Sequence, residues 1–262
     1  MSEGPHPALV AATAAAEAAY HHATTTRTGE QLADLLGDGA DGTPTMVLDA
    51  LVEEAVLDAV APFGINVLSE ECGLVDRGSA VTLVVDPVDG TANAVAGVPL
   101  TCFLATIALD GVFTESVTTW FATGERAYVG PHQRTGWASS GRKALDGAAV
   151  SMLRPQLRNE SRWLAVARRT SRVRVLGCSG LESLFVARGL VDAFADAGSD
   201  THRLVDLAAA MAATSIAGTT VVDVWGRPVE LDADLTRRWS GIVAASAPLA
   251  EELAEVIRSA AI

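Results

Sequence analysis

A run of β-prone residues that ends in two closely spaced aspartates constrains this chain more than any other stretch. Ala80-Val81-Thr82-Leu83-Val84-Val85 leads straight into Asp86-Pro87-Val88-Asp89-Gly90-Thr91-Ala92-Asn93. Six β-prone or apolar residues in a row predict a strand that feeds the motif. Pro87 fixes one backbone angle between the two acids, and their spacing can point both carboxylates to one side of a turn at the strand end. Gly90 can take backbone angles closed to other residues, and its missing side chain lets an anion approach the amides. Thr91 is a good N-cap, so a helix is expected to start there with free N–H groups suited to an oxyanion. Hard carboxylate oxygens suit magnesium. Taken alone, the two acids also fit a strand followed by an Asx turn with both carboxylates in water. A second acidic pair upstream, Glu70-Glu71, tips the balance toward a site for divalent metal and phosphate.

Composition narrows the class of partner. The 262 residues are enough for a full core, as one large domain or two packed halves. The formal net charge of −13 argues against a nucleic-acid partner, because phosphate neutralisation needs a basic face. It leaves room for a small phosphorylated substrate, since bound cations invert the local field. Hydrophobic residues make up 49% of the chain and the mean hydropathy is +0.28. Even so, no apolar run approaches the ~18–20 residues of a membrane span. Residues 1–6 carry no basic stretch followed by an apolar core, so no secretion signal and no membrane are expected, and the expected compartment is the cytoplasm. Cys72, Cys102 and Cys178 are odd in number and lack metal-ligand spacing, which points to buried reduced thiols.

The rest of the chain supplies helices and strands around the motif. Residues 7–24 are alanine-rich and read as a helix closed by His21 and His22, and residues 37–42 as a mobile acidic loop. Thr43-Pro44-Thr45 starts a second helix to residue 60, with Asp49 and Glu53 among its polar positions. Strands are expected at 65–68 and 100–109, with a hairpin over 112–120 and 126–129. Beyond the glycine-bearing stretch 136–147, strands and helices alternate, as in an α/β arrangement. The chain therefore divides into an α+β half, residues 1–146, and an α/β half, residues 147–262. Asp206 sits among apolar residues at an expected helix start, where it is costly to bury alone. An N-cap, a solvated face and a metal ligand are all open for it.

Asp86-Pro87-Val88-Asp89-Gly90-Thr91 resembles the signature of the inositol monophosphatase family of magnesium-dependent, lithium-sensitive phosphatases. Ser69-Glu70-Glu71 before it and Val205-Asp206-Leu207-Ala208-Ala209 after it match two further family motifs in order. The resemblance implies a layered αβαβα sandwich of the α/β class with the site in the cleft between the halves. It implies two to three Mg2+ ions per site. Glu70, Asp86 and the Val88 carbonyl would bind the first, and Asp86 would bridge to a second completed by Asp89 and Asp206. A weaker third would sit near Glu70. Two such ions, ~3.5–4 Å apart, clamp both ends of an in-line displacement.

By the same resemblance Asp41 pairs with Thr91 to orient or deprotonate the attacking water, with Asp38 as a competitor for that role. Glu70 shares in catalysis, and the amides of Gly90 and Thr91 hold the phosphate. Ser179, Glu182 and Asp196 fall where the family contacts the alcohol. A homodimer is implied as well. The chain departs from the family pattern at Ala94, where an aromatic is usual, at Val205, where tryptophan is usual, and at Ala217-Gly218-Thr219. The segments 41–45 and 203–206 look more like the prokaryotic branch active on inositol and fructose phosphates. The implied activity is hydrolysis of a polyol, sugar or cyclitol phosphate. Fructose-1,6-bisphosphate or a nucleotide 3′-phosphate is the alternative substrate, and non-catalytic binding of a phosphorylated ligand the alternative class. Arg168, Arg169, Arg172 and Arg174 form a basic cluster that offers a second-phosphate site or, more plainly, a solvated helix face.

Overall fold

The computed structural model describes residues 4–131 and 136–260. Helix α1 (Pro7–Thr26) comes first. It outruns its expected end at residue 24 by two residues, and the hydroxyls of Thr24, Thr25 and Thr26 donate to the carbonyls of Tyr20, His21 and His22. His21 and His22 are thus exposed one turn inside the helix rather than closing it. After α2 (Gly29–Leu32), strands β1 (Leu35–Asp38) and β2 (Pro44–Met46) form an antiparallel hairpin where a loop and a helix start were expected. Helix α3 (Val47–Val60) begins only after β2, at a turn where Asp49 Oδ2 accepts the Met46 N–H at 3.2 Å.

Six strands follow: β3 (Asn66–Ser69), β4 (Gly73–Val75), β5 (Val81–Asp89), β6 (Cys102–Leu109), β7 (Val112–Trp120) and β8 (Glu125–Val129). They form one sheet in the order β4-β3-β5-β6-β7-β8, with only β3 and β5 parallel. Strand alternation sets its two faces. Leu83, Val85, Phe103, Ala105 and Ile107 pack against α1 and α3. Val84, Cys102 and Leu104 point the other way, toward the second half. A short helix α4 (Thr91–Val95) interrupts the sheet between β5 and β6. Cys102 and Cys178 are buried, whereas Cys72, in the β3–β4 turn, is exposed against expectation.

The second half contains β9 (Ala149–Met152), α5 (Glu160–Arg169), β10 (Arg172–Arg174), α6 (Ser179–Ala187), β11 (Ala193–Ala195), α7 (Leu204–Ala217), β12 (Thr220–Asp223), β13 (Gly241–Ala244) and α8 (Ala247–Ser259). Its strands form a five-stranded sheet in the order β10-β9-β11-β13-β12. Helices α5 and α8 cover the outer face, where Val166, Leu249, Leu253 and Ile257 meet Val150 and Ala193.

Helices α6 and α7 lie between the two sheets. Leu181 and Leu184 of α6 and Ala209 of α7 pack on Cys102 and Leu104, while Leu204 and Leu207 share a core with Phe194 and Val243. A helix enclosed on both sides must be largely apolar and built of small residues, and Leu-Val-Asp-Leu-Ala-Ala-Ala is that apart from Asp206. Helix, sheet, helix, sheet and helix are thus stacked as the expected αβαβα sandwich. Among the described residues no helix is long and apolar enough to cross a membrane.

Gly180 sets the approach of α6 to the first sheet. A Cβ there would lie 2.5 Å from Leu104 Cδ2 and 2.9 Å from Cys102 Sγ. Gly180→Val is expected to destabilise the fold by on the order of 3 kcal/mol, read from the urea midpoint, and an unchanged midpoint would contradict this packing.

Candidate active site

Asp86 and Asp89 lie an odd number of residues apart, so a regular strand would send them to opposite faces. The β5–β6 pairing is irregular between them, and this break brings both carboxylates to one side. Asp86 Oδ1 accepts the Val88 N–H at 3.1 Å, closing an Asx turn around Pro87. Gly90 follows with φ +83°, and a Cβ on it would lie 2.9 Å from the Leu100 carbonyl and 3.1 Å from that of Gly177. It is Gly90, not Thr91, that caps α4; Thr91 is the first helical residue. Asn93, one turn on, donates to the Leu100 and Leu176 carbonyls, both at 2.8 Å, and fastens α4 to the second half.

Asp206 enters from that second half, in the first turn of α7. One oxygen from each of Asp86, Asp89 and Asp206 lies within 4.8 Å of the others, and all three residues are buried. Burial and then the charges of Asp89 and Asp206 hold the Asp86 carboxyl well above its usual range. Asp89 is pushed up to about 6 by burial and by Asp206, although the Gly180 N–H, 2.6 Å away, and the Cys178 thiol favour its anion. Burial works against Asp206 as well, but the charge and hydrogen bonds of Arg203 outweigh it and lower its pKa. Asp86 Oδ2 is buried without a hydrogen-bond partner. Such a mutually repelling set of hard oxygens, one of them without a hydrogen bond, is chemically suited to a divalent cation. Glu70, in the turn after β3, reaches the same cluster through an ion pair with Arg203. Its neighbour Glu71 accepts the Thr45 hydroxyl and is raised to about 7, chiefly by burial.

The expected pairing of Asp41 with Thr91 is corrected by the structure. Thr91 Oγ1 lies 2.7 Å from both Asp49 Oδ1 and the Val88 carbonyl, and its single proton is shared between them. Asp49, read from the sequence only as a polar helix position, is the partner, and burial lifts its carboxyl to about 6. Asp41 is instead locked in ionic contacts. It accepts from the Thr43 N–H and hydroxyl, each at 2.8 Å, and faces Arg203 at 3.3 Å and Arg238 at 3.5 Å. Asp38 is exposed on β1.

A cleft of about 740 Å³ runs past this cluster and is walled by both halves. Val88, Asp89, Gly90, Thr91, Ser179 and Asp206 all line it. Glu182 and Asp196 do not, which corrects the expectation that they contact substrate. Glu182 is buried and accepts from the Ser151 hydroxyl and the Leu176 and Cys178 N–H groups, with its carboxyl pushed up to about 7 by burial. Asp196 is buried too, and binds the N–H groups of Ser199 and Thr201 and the Ser199 hydroxyl. Both pin loops rather than face the cleft. None of Arg168, Arg169, Arg172 and Arg174 lines the cleft either, and Arg169 pairs with Asp146 and Glu252. The arginines at the cleft are Arg154, Arg158, Arg203 and Arg238, to which the sequence reading gave no role.

The model of the inositol monophosphatase family matches residues 6–261. A fructose-1,6-bisphosphatase/inositol-1-monophosphatase of Thermococcus kodakarensis is 31% identical over 231 residues, covering 85% of this chain and 86% of that protein. The inositol-1-monophosphatase ImpA of Mycolicibacterium smegmatis is 29% identical over 227 residues, covering 81% and 79%. Among solved structures, the MJ0109 gene product, an inositol monophosphatase-fructose 1,6-bisphosphatase, superposes with a TM-score of 0.77 at 24% identity, over 87% of this chain and 92% of that one. At that identity the likeness is one of fold.

The lock on Asp41 has a measurable consequence. Asp41→Ala strips Arg203 and Arg238 of a buried partner and is expected to lower stability by about 1–3 kcal/mol in urea unfolding; no change would show that these contacts carry no stability.

Proposed function

We propose that this chain, which belongs to the inositol monophosphatase family, is a magnesium-dependent phosphoric monoester hydrolase acting on a small polyol, sugar or cyclitol phosphate. One observation carries the reading. Three buried carboxylates from β5 and α7 converge within 4.8 Å, two of them, Asp89 and Asp206, on the wall of a cleft, and they outnumber the cations beside them. Glu70, Asp86, Asp89, Asp206 and the Val88 carbonyl would hold two to three Mg2+ ions, all through oxygen donors as that ion prefers. Bound magnesium supplies Lewis-acid activation of water and of the phosphoryl oxygens.

The chain's own groups do the positioning. Asp49 Oδ1 and Thr91 Oγ1, 2.7 Å apart, form a relay that orients a water molecule and receives its proton. A carboxyl raised to about 6 is a better base near neutral pH than an ordinary aspartate. The amides of Gly90 and Thr91 border the cleft where the phosphoryl oxygens would lie, and Ser179 faces the alcohol side. Anchored through Asn93 and Gly180, this arrangement joins both halves, so water, phosphate and alcohol are held by one rigid frame.

A second reading has its own support. Arg154 and Arg158 line the cleft, are exposed, and form no ion pair among the described residues. Two unpaired guanidiniums in an acidic protein favour a substrate with a second anionic group, such as fructose 1,6-bisphosphate. A cytoplasmic homodimer completes the proposal by family likeness.

The test is phosphate release from inositol 1-phosphate, fructose 1,6-bisphosphate and a nucleotide 3′-phosphate, with and without Mg2+. Release is expected only with Mg2+. Asp89→Asn should abolish it while leaving the circular dichroism spectrum intact, and Asp49→Asn should lower kcat by about 10²-fold. A chain that binds these esters without hydrolysing any of them would be a non-catalytic relative, and the proposal would fall.

A further inference from the structure

The acidic cluster already holds a cation of its own. Arg203, the residue before α7, turns its guanidinium back into the site with its side chain only 17% exposed. Nε and Nη2 fork onto the Asp206 carboxylate at 3.1 and 3.0 Å, and the Arg203 N–H donates to the same group at 2.7 Å. Nη1 pairs with Glu70 and also lies 3.3 Å from Asp41 Oδ2, while Nη2 is 3.5 Å from Asp86 Oδ2. One guanidinium therefore touches Glu70, Asp86 and Asp206, three of the carboxylates proposed above as metal ligands. Arginine keeps its charge in any such setting, so this cation cannot leave by losing a proton.

A dication at those oxygens and a guanidinium on the same oxygens repel each other strongly at such range. The contacts differ in how firmly they are held. The Asp206 fork is doubled by a backbone bond, whereas the Glu70 pair rests on Nη1 alone. That same Nη1 already has a second acceptor in Asp41, which Thr43 and Arg238 keep in place. We infer that Arg203 is a built-in competitor for the divalent ion: it neutralises the cluster, gives up Glu70 as an ion enters, and is then retained by Asp41 and Asp206. Its charge thereby raises the ion concentration at which the site fills. Asp41 is a positioning residue that receives the displaced guanidinium. The inference rests on the metal-site reading of Glu70, Asp86 and Asp206.

The test is Mn2+ binding to the full chain stripped of metal, followed through the paramagnetic resonance signal of free Mn2+, together with melting in chelator. Arg203→Gln is expected to bind Mn2+ about tenfold more tightly than wild type. It should also melt lower in chelator, because the carboxylate repulsion is then unrelieved. Arg203→Lys keeps the charge, and its Kd should stay within about threefold of wild type. Asp41→Asn removes the negative charge that receives the displaced guanidinium and should weaken Mn2+ binding, a result that stands if Arg203→Gln fails to fold. Unchanged or weaker binding by Arg203→Gln, or unchanged binding by Asp41→Asn, overturns the inference and leaves the metal site standing. Wild type that binds no Mn2+ overturns both.

Discussion

The mutual repulsion of Asp86, Asp89 and Asp206 is the constraint around which the rest of this structure is arranged. Two unit charges about 4 Å apart repel by roughly 4 kcal/mol at the effective dielectric of a protein near its surface. Taking three carboxylates out of water against that repulsion needs donors, cations or both. The fold supplies donors selectively. Asp89 has the Gly180 N–H and the Cys178 thiol, and Asp206 has Arg203, but Asp86 Oδ2 has no hydrogen bond at all. The cluster is therefore organised but under-neutralised, which is the condition in which hard carboxylates take up divalent ions.

Bringing these groups together is the work of the layers. Asp86 and Asp89 end a central strand of one sheet, and Asp206 begins a helix enclosed between both sheets. Small residues make that geometry possible. Alanines let α7 lie between sheets, and Gly180 lets α6 approach β6 closely enough for its N–H to reach Asp89. Asn93 ties the short helix after β5 to the Leu176–Gly177 segment, so the cleft walls belong to one frame. A side chain at Gly90 or Gly180 would push these walls apart before it touched any carboxylate.

Much of this was legible in the chain. A β-prone run ending in Asp-Pro-Val-Asp-Gly-Thr announces a strand, a turn and an anion site, because Pro87 and Gly90 allow little else. The ordered motifs at Glu70 and Asp206 pointed to the same cleft. What was not legible depended on contacts distant in sequence. Asp49 looks like any polar position of an amphipathic helix, and only the fold carries it to Thr91, 42 positions away. Asp41 resembles a base by its loop, yet Arg203 and Arg238 hold it from positions 162 and 197 residues distant. Glu182 and Asp196 match substrate-facing positions, but their neighbours supply enough N–H donors to bury them as structural acids. Arg203, in the segment 203–206, has no role legible in the sequence, since periodicity cannot tell a guanidinium that points into a helix start from one that points to water.

The proposed activity depends on divalent ions occupying the cluster between β5 and α7. Anomalous diffraction from crystals soaked in Mn2+ examines that directly. Peaks are expected within coordination distance of Asp86, one of them shared with Asp89 and Asp206, and they should be lost in crystals of Asp86→Asn. Mn2+ peaks confined to other surface acids, or none at Asp86 at saturating ion, would contradict that occupancy.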